Sequence, residues 1–210
     1  MYEPAEDTWL LMDAFAADAP RLARLAPPPS LLLELGSGSG AVCTSALLSL
    51  SAAAASLGIA CPRPLCLAAD ISPDACAATA LTAAAHGAGV EVVQCDLLAP
   101  LARRLAGEVD VLLFNPPYVP TPAGEVPPPG AFAPGGGGGG GEGDALPVLV
   151  PLLRAGEGVL FLVLVEDNAP EEVVARLAAL GAEGEVVARV KAHNERLLVV
   201  RAIRRADAKC

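Results

Sequence analysis

The sequence predicts an α/β fold built on a mostly parallel sheet, and three observations carry that prediction. Short apolar runs alternate with alanine- and leucine-rich helical stretches, the order that buries a parallel sheet beneath helices on both faces. Glycine and proline clusters follow apolar runs at their carboxyl ends, where such sheets bind ligands. The chain closes with EVVARV and RLLVVRAI, which read as a hairpin and imply an antiparallel edge. A length of 210 residues suits one domain, 1–210, with a sizeable core.

The elements follow in order. An amphipathic helix is expected from about Ala5 to Ala17, with acids at its start, and Pro27-Pro28-Pro29 forms a stiff joint after it. Leu31 to Leu35 reads as a strand and Ala41 to Leu57 as a helix. Leu65 to Asp70 is the next strand, and Ser72-Pro73 opens a helix running to about His86, with proline at a tolerated first-turn position. Val90 to Asp96 alternates in part, and Val109 to Asn115 reads as a strand buried on both faces. Pro127 to Pro129 then lead toward seven consecutive glycines, Gly135 to Gly141, so 126–144 is expected to be a flexible surface loop. A short helix near Leu146 to Leu153, a strand from Gly158 to Val165 and a helix from Pro170 to Leu180 precede the hairpin. No internal repeat is visible.

Composition narrows the function. Hydrophobic residues make up 53% of the chain, and the mean hydropathy is +0.50. Much of that is alanine, and no run of about 18 strongly apolar residues signals a membrane span. The N-terminus, MYEPAEDTW, is acidic and carries no basic segment, so no signal peptide is expected. A net charge of −10 leaves no electrostatic footprint for nucleic acid. Arg201, Arg204 and Arg205 read as a solvated C-terminal end. The six cysteines show no CxxC spacing, so they read as reduced intracellular thiols used as small hydrophobes, with no metal site.

The chemistry begins at LELGSGSGA. Gly36, Gly38 and Gly40 sit between the first strand and its helix, where backbone can approach a ligand and unpaired N–H groups collect. A nucleotide-like ligand fits this place, although Gly36, Gly38 and Ala41 also match a dinucleotide pattern. Asp70, ending the second strand, is placed to bind ribose hydroxyls, and Asp96, ending the third, to accept from an adenine amino group; either acid equally suits helix or turn capping. Asp70 lies further on than a NAD-type pattern expects. Glu34 lies inside the first strand, and a core carboxylate costs several kcal/mol unless compensated. A sulfonium cofactor would compensate it, as would a buried arginine or backbone N–H groups.

FNPPYVP, residues 114–120, ends the fourth strand. The Asn115 side-chain oxygen accepts hydrogen bonds, and Pro116 offers a carbonyl without an N–H. Two rigid acceptors match both hydrogens of a planar NH₂ group, while Pro117 stiffens the turn and Tyr118 stacks on the substrate. Holding both hydrogens aims the nitrogen lone pair and stabilises charge developing on it, without a general base.

YEPAEDT (Tyr2 to Thr8), LELGSGSGAV, Asp70, CDLL (Cys95 to Leu98) and FNPPYV together resemble the eukaryotic glutamine methyltransferases of class I translation termination factors, relatives of the bacterial release-factor methyltransferases. NPPY alone is shared with amino-methylating DNA enzymes; its union with YEPAEDT is far more specific. The resemblance spans nearly the whole chain and includes RVKAHNERLLVV. It implies a seven-stranded, Rossmann-like class I methyltransferase sheet with S-adenosyl-L-methionine as donor. It implies cofactor contacts at Thr8, Glu34, Gly36, Asp70, Asp96 and Leu97, with Asn115 at the target nitrogen. The implied substrate is the glutamine of a Gly-Gly-Gln loop, and the implied partner is a small zinc-binding activator subunit. Cytoplasmic work, with the nucleus as a second location, is the matching expectation. Two departures stand out. The family carries residues ahead of YEPAEDT, so a missing N-terminal piece is expected. Phe132 stands where the family has a tryptophan, and the glycine tract follows, so a weaker substrate grip is expected there.

Rival expectations are an N6-adenine nucleic-acid methyltransferase, a protein-lysine methyltransferase acting on histones, a non-catalytic cofactor-binding subunit of a heterodimer and, more distantly, a NAD oxidoreductase. The acidic charge opposes the first, and the intact Asn115 opposes the third.

Overall fold

The computed structural model describes residues 3–96, 101–116, 145–192 and 195–207. Leu97, Pro117, Tyr118, Phe132, His193 and the 126–144 tract fall outside the described residues.

Strands β1 (Leu31–Leu35), β2 (Leu65–Asp70), β3 (Val90–Gln94), β4 (Val111–Phe114), β5 (Val159–Val165), β6 (Ala182–Ala192) and β7 (Glu195–Arg204) form one seven-stranded sheet in the order β3-β2-β1-β4-β5-β7-β6. The first five pair in parallel, and β7 runs antiparallel to both β5 and β6. The chain works outward from β1 to β3, then returns to β4 on the other side of β1. That reversal opens a crevice at the carboxyl ends of β1 and β4, where doubly wound sheets bind ligands.

Because side chains alternate across a strand, the sheet feeds two cores. Leu32, Val111, Phe161 and Val199 pack with helices α1 (Glu6–Leu22) and α2 (Ala41–Leu57) on one face. There the Phe15 and Phe161 rings meet edge to face, 5.6 Å between centroids. Leu33, Leu112, Leu160 and Leu198 pack on the other face with α5 (Leu146–Leu149) and α6 (Pro170–Ala179). Helix α3 (Pro73–Ala85) lies beside α2 and against β2 and β3. The four residues of β4 are all buried, as a central parallel strand requires.

Several expected boundaries move. Helix α1 runs through Leu22, beyond Ala17, with Pro20 in its final turn. Burial of Ala19 and Leu22 holds that turn despite the lost donor. The expected strand over 90–96 stops at Gln94, and the one over 109–115 spans Val111–Phe114. The expected helix at Leu146 to Leu153 divides into α5 and a 3₁₀ turn, Val150–Leu152, that carries Pro151. A short α4 (Ala102–Leu105) was not expected from the sequence. The hairpin strands are longer than expected and carry a bulge between Val186 and Ala188.

Arg201 and Arg204 also depart from the expectation of a solvated end. Arg204 is 2% exposed and donates to the Pro151 carbonyl at 2.9 Å and the Leu153 carbonyl at 2.6 Å. Arg201 pairs with Asp18 at 2.7 Å and with Glu185. Both sit inside β7, so strand pairing turns their side chains toward neighbouring elements rather than toward water.

Candidate active site

The glycine loop is fixed from both sides. Gly36 N–H donates to the Ala69 carbonyl at 2.8 Å, tying the end of β1 to the end of β2. Gly36 is exposed and has φ +66°; a Cβ added there would lie 4.0 Å from the Asn115 carbonyl oxygen. The loop and the tip of β4 therefore face each other across a gap that a side chain would enter. Gly40, at φ +75°, begins α2 against the Cα of Thr79. Helix α3 clamps the loop with two hydroxyls. Thr79 Oγ1 lies 2.9 Å from Ser37 Oγ and 3.3 Å from the Gly38 carbonyl, and Thr82 donates to the Ser39 carbonyl at 2.7 Å.

Two carboxylates border this loop. Glu34 is 3% exposed and accepts the Cys43 N–H at 3.0 Å. Of the readings left open for it, backbone N–H pairing at the first turn of α2 is therefore present. Burial pushes the Glu34 carboxyl well above its ordinary range, and the neighbouring Cys43 thiol and Asp70 push it the same way. Asp70 accepts Gly38 N–H on one oxygen and Ser72 N–H on the other, each at 2.9 Å. It is half-buried, so each oxygen keeps acceptor capacity for a hydroxyl. The turn-capping reading of Asp70 thus holds alongside its availability to a diol. Asp96 is exposed just beyond β3, whose end is tied to β2 by Cys95 N–H donating to the Asp70 carbonyl at 2.9 Å.

The polar tip of β4 is held from α1. Asn115 Nδ2 donates to Asp7 Oδ2 at 2.9 Å, and Asp7 Oδ1 accepts Thr8 N–H at 2.7 Å. A carboxylate only accepts, so the amide nitrogen must face Asp7 and the Asn115 oxygen turns the other way. Asp7 is 5% exposed, which strengthens this contact. Pro116 is buried behind Asn115. Thr8 is buried too; its hydroxyl donates to Asp7 Oδ1 at 3.3 Å and accepts Ala5 N–H at 3.4 Å.

The fold thus gathers Thr8, Glu34, Gly36, Gly38, Asp70 and Asn115 around one crevice, with Asp96 on its rim. The residues suit a cationic, diol-bearing ligand: a buried carboxylate with no arginine partner among the described residues, an aspartate with acceptor capacity left, and a glycine-lined gap. Sequence reasoning missed Asp7, Thr79 and Thr82. Asp7 was legible only as an acid at a helix start, and its partner lies 108 positions away. Thr79 and Thr82 left one trace, two hydroxyls spaced three apart on an alanine-rich helix.

No protein-family model matches the chain. It is 41% identical over 203 residues to the Mus musculus protein Methyltransferase HEMK2, covering 96% of this chain and 88% of that protein. It is 34% identical over 217 residues to the Schizosaccharomyces pombe eRF1 methyltransferase catalytic subunit mtq2, covering 97% and 89%. The E. cuniculi Mtq2-Trm112 complex, responsible for methylation of eRF1, shares the fold at TM-score 0.61 and 24% identity, over 97% of this chain and 98% of that one. The T. thermophilus 16S rRNA N2 G1207 methyltransferase, solved with AdoMet and guanosine, shares it at TM-score 0.62 and 17% identity, over 97% and 44%.

Proposed function

The chain belongs to the eukaryotic release-factor glutamine methyltransferase family, and on that footing we propose that it transfers a methyl group from S-adenosyl-L-methionine to the glutamine amide nitrogen of the Gly-Gly-Gln loop in eRF1. The observation that carries this reading is the Asn115 amide, oriented by Asp7 at 2.9 Å and set opposite the glycine loop.

Glu34 would hold the cationic end of the cofactor, Asp70 its ribose hydroxyls, and Asp96 with Leu97 its adenine. Gly36 and Gly38 would admit its backbone-side surface, with Thr8 at the α1 side. When bound, the cofactor supplies a methyl group on a sulfonium centre. The chain's own part is positioning. The Asn115 oxygen and the Pro116 carbonyl accept the two N–H groups of the substrate amide, and Tyr118 stacks on its plane. The nitrogen lone pair is thereby aimed along the line of transfer. As the N–CH₃ bond forms at the expense of the S–CH₃ bond, nitrogen would gain positive charge, which the same two acceptors stabilise before one proton leaves to solvent; the cofactor would depart as its neutral thioether.

The Schizosaccharomyces pombe relative named as an eRF1 methyltransferase catalytic subunit supports this substrate, and the Mtq2-Trm112 complex supports a partner subunit, which we take to be the small zinc-binding activator. Among the described residues β3 pairs only with β2, so its outer backbone edge is open to a strand of that partner. A translation factor as substrate places the work in the cytoplasm, with the nucleus as a second location.

Transfer of labelled methyl to eRF1, with and without the activator, tests the proposal. Label should appear on eRF1 and vanish when the loop glutamine becomes alanine. Asn115→Ala should lower kcat by about 100-fold, the scale of a lost transition-state acceptor. Asp7→Ala, which removes the carboxylate that orients the Asn115 amide, should lower kcat about tenfold while leaving cofactor affinity within about twofold. Retained cofactor binding with no label on eRF1 would sink the substrate assignment, and equal losses of affinity and kcat in Asp7→Ala would sink its positioning role.

A further inference from the structure

We propose that the paired strands β6 and β7 around Arg189, Lys191 and Arg196 form a docking site for an acidic, extended segment of the protein substrate; this rests on the reading that the substrate is a protein. A cleft of about 180 Å³ opens there, lined by Glu166, Arg189, Lys191, Arg196, Leu197 and Leu198. Lys191 lies opposite Arg196 and Arg189 opposite Leu198 in the ladder, so those four side chains share one face. Arg196 is engaged by Glu166 at 3.3 Å. Arg189 and Lys191 are exposed and have no carboxylate partner among the described residues. Three cations thus meet one carboxylate at a single spot on a chain of net charge −10.

The register puts this cleft on the same edge of the sheet as Asn115. Phe114, the last residue of β4, pairs with Leu162, whereas Leu197 pairs with Val165, further along β5. The hairpin therefore projects past the end of β4, and three strand spacings separate β4 from β6. That is about 15 Å, the reach of roughly five extended residues. A protein chain whose glutamine sits at Asn115 can lay a neighbouring segment across the hairpin without strain.

The chemistry favours carboxylates on a polypeptide. Arg189 and Lys191 stand two residues apart on a strand, about 7 Å, which matches alternate side chains of an extended peptide. Leu198, on the same face as the cations, lines the cleft and suits the apolar part of such a segment. Opposite charge at a rim position raises encounter rate and fixes register, the role expected of a docking site beside a catalytic crevice.

The test uses the full chain, a fluorescent Glu-Val-Glu-Val-Glu peptide, intact eRF1 and a short Gly-Gly-Gln peptide. Anisotropy should report peptide binding that weakens about tenfold in R189E/K191E, about threefold in R189Q/K191Q, and falls as salt rises. Methylation of intact eRF1 by R189E/K191E should show KM raised about tenfold with kcat unchanged, while the short peptide keeps its wild-type KM. Unchanged peptide binding and unchanged KM for eRF1 would overturn the proposal. So would an RNA pentanucleotide that binds more tightly than the acidic peptide and displaces it. If wild-type chain methylates neither substrate, the catalytic reading fails, and the anisotropy series alone then decides whether the cleft takes an acidic segment.

Discussion

At the scale of single residues, Glu34 is the most informative group. Its carboxyl is buried with a backbone N–H as its hydrogen bond, and burial holds it well above its ordinary value of 4.5. The folded chain therefore binds this proton more tightly than the unfolded chain. The stability linked to Glu34 is fully present below 4.5 and is lost as pH rises through the raised value. A cationic ligand reverses the preference, since it favours the ionised form. Affinity for S-adenosylmethionine should thus increase with pH over the window in which Glu34 ionises. Glu34→Gln keeps an acceptor for Cys43 N–H but loses the charge. It should match or exceed the wild-type melting temperature at pH 7.5 and bind the cofactor at least about tenfold more weakly. Calorimetry of both chains across pH checks this, and a variant that melts earlier yet binds normally would refute it. The acid in LELGSG was legible as a misplaced charge. Its protonation preference was not, because that depends on what α2 and the sheet exclude from around it.

The element that organises the site is the β1–α2 turn together with α3. Gly40 has φ +75°, and an added Cβ would lie 2.6 Å from the Cα of Thr79. The obstruction is backbone, so no side-chain rotation relieves it. Gly40→Ala should destabilise the chain by about 2–4 kcal/mol, combining left-handed strain with overpacking. Gly58, with φ +65° and open space around it, is the control. Gly58→Ala should cost only the strain, about 1–2 kcal/mol. Urea unfolding of both variants measures the difference, and equal costs would show that the α3 contact carries no weight. The glycine pattern made this turn readable in advance. The hydroxyl clamp from Thr79 and Thr82 was not, because it joins helices whose approach is set by how α3 packs on β2 and β3.

On the scale of the whole molecule, β7 joins the two halves of the structure. It lies between β5 and β6, and Arg204 reaches from it to the Pro151 and Leu153 carbonyls while Arg201 reaches Asp18 of α1. Arg204→Leu removes the side-chain donor from the buried Leu153 carbonyl, while the Pro151 carbonyl keeps the Gly107 N–H at 2.9 Å, and should cost about 1–3 kcal/mol in equilibrium unfolding. Arg205→Ala, an exposed position, should change stability by about 0.5 kcal/mol or less. A small effect for Arg204→Leu would mean that water replaces its hydrogen bonds. The sequence by itself determined the strand order along the chain, the parallel character of the sheet, the glycine loop and the chemistry of Asn-Pro, because period and turn chemistry are local. The tertiary structure alone decided that Asp7 faces Asn115, that two late arginines are inward, and that three cations gather beside one cleft. Those outcomes depend on register and on partners distant in the chain, which no local pattern of residues encodes.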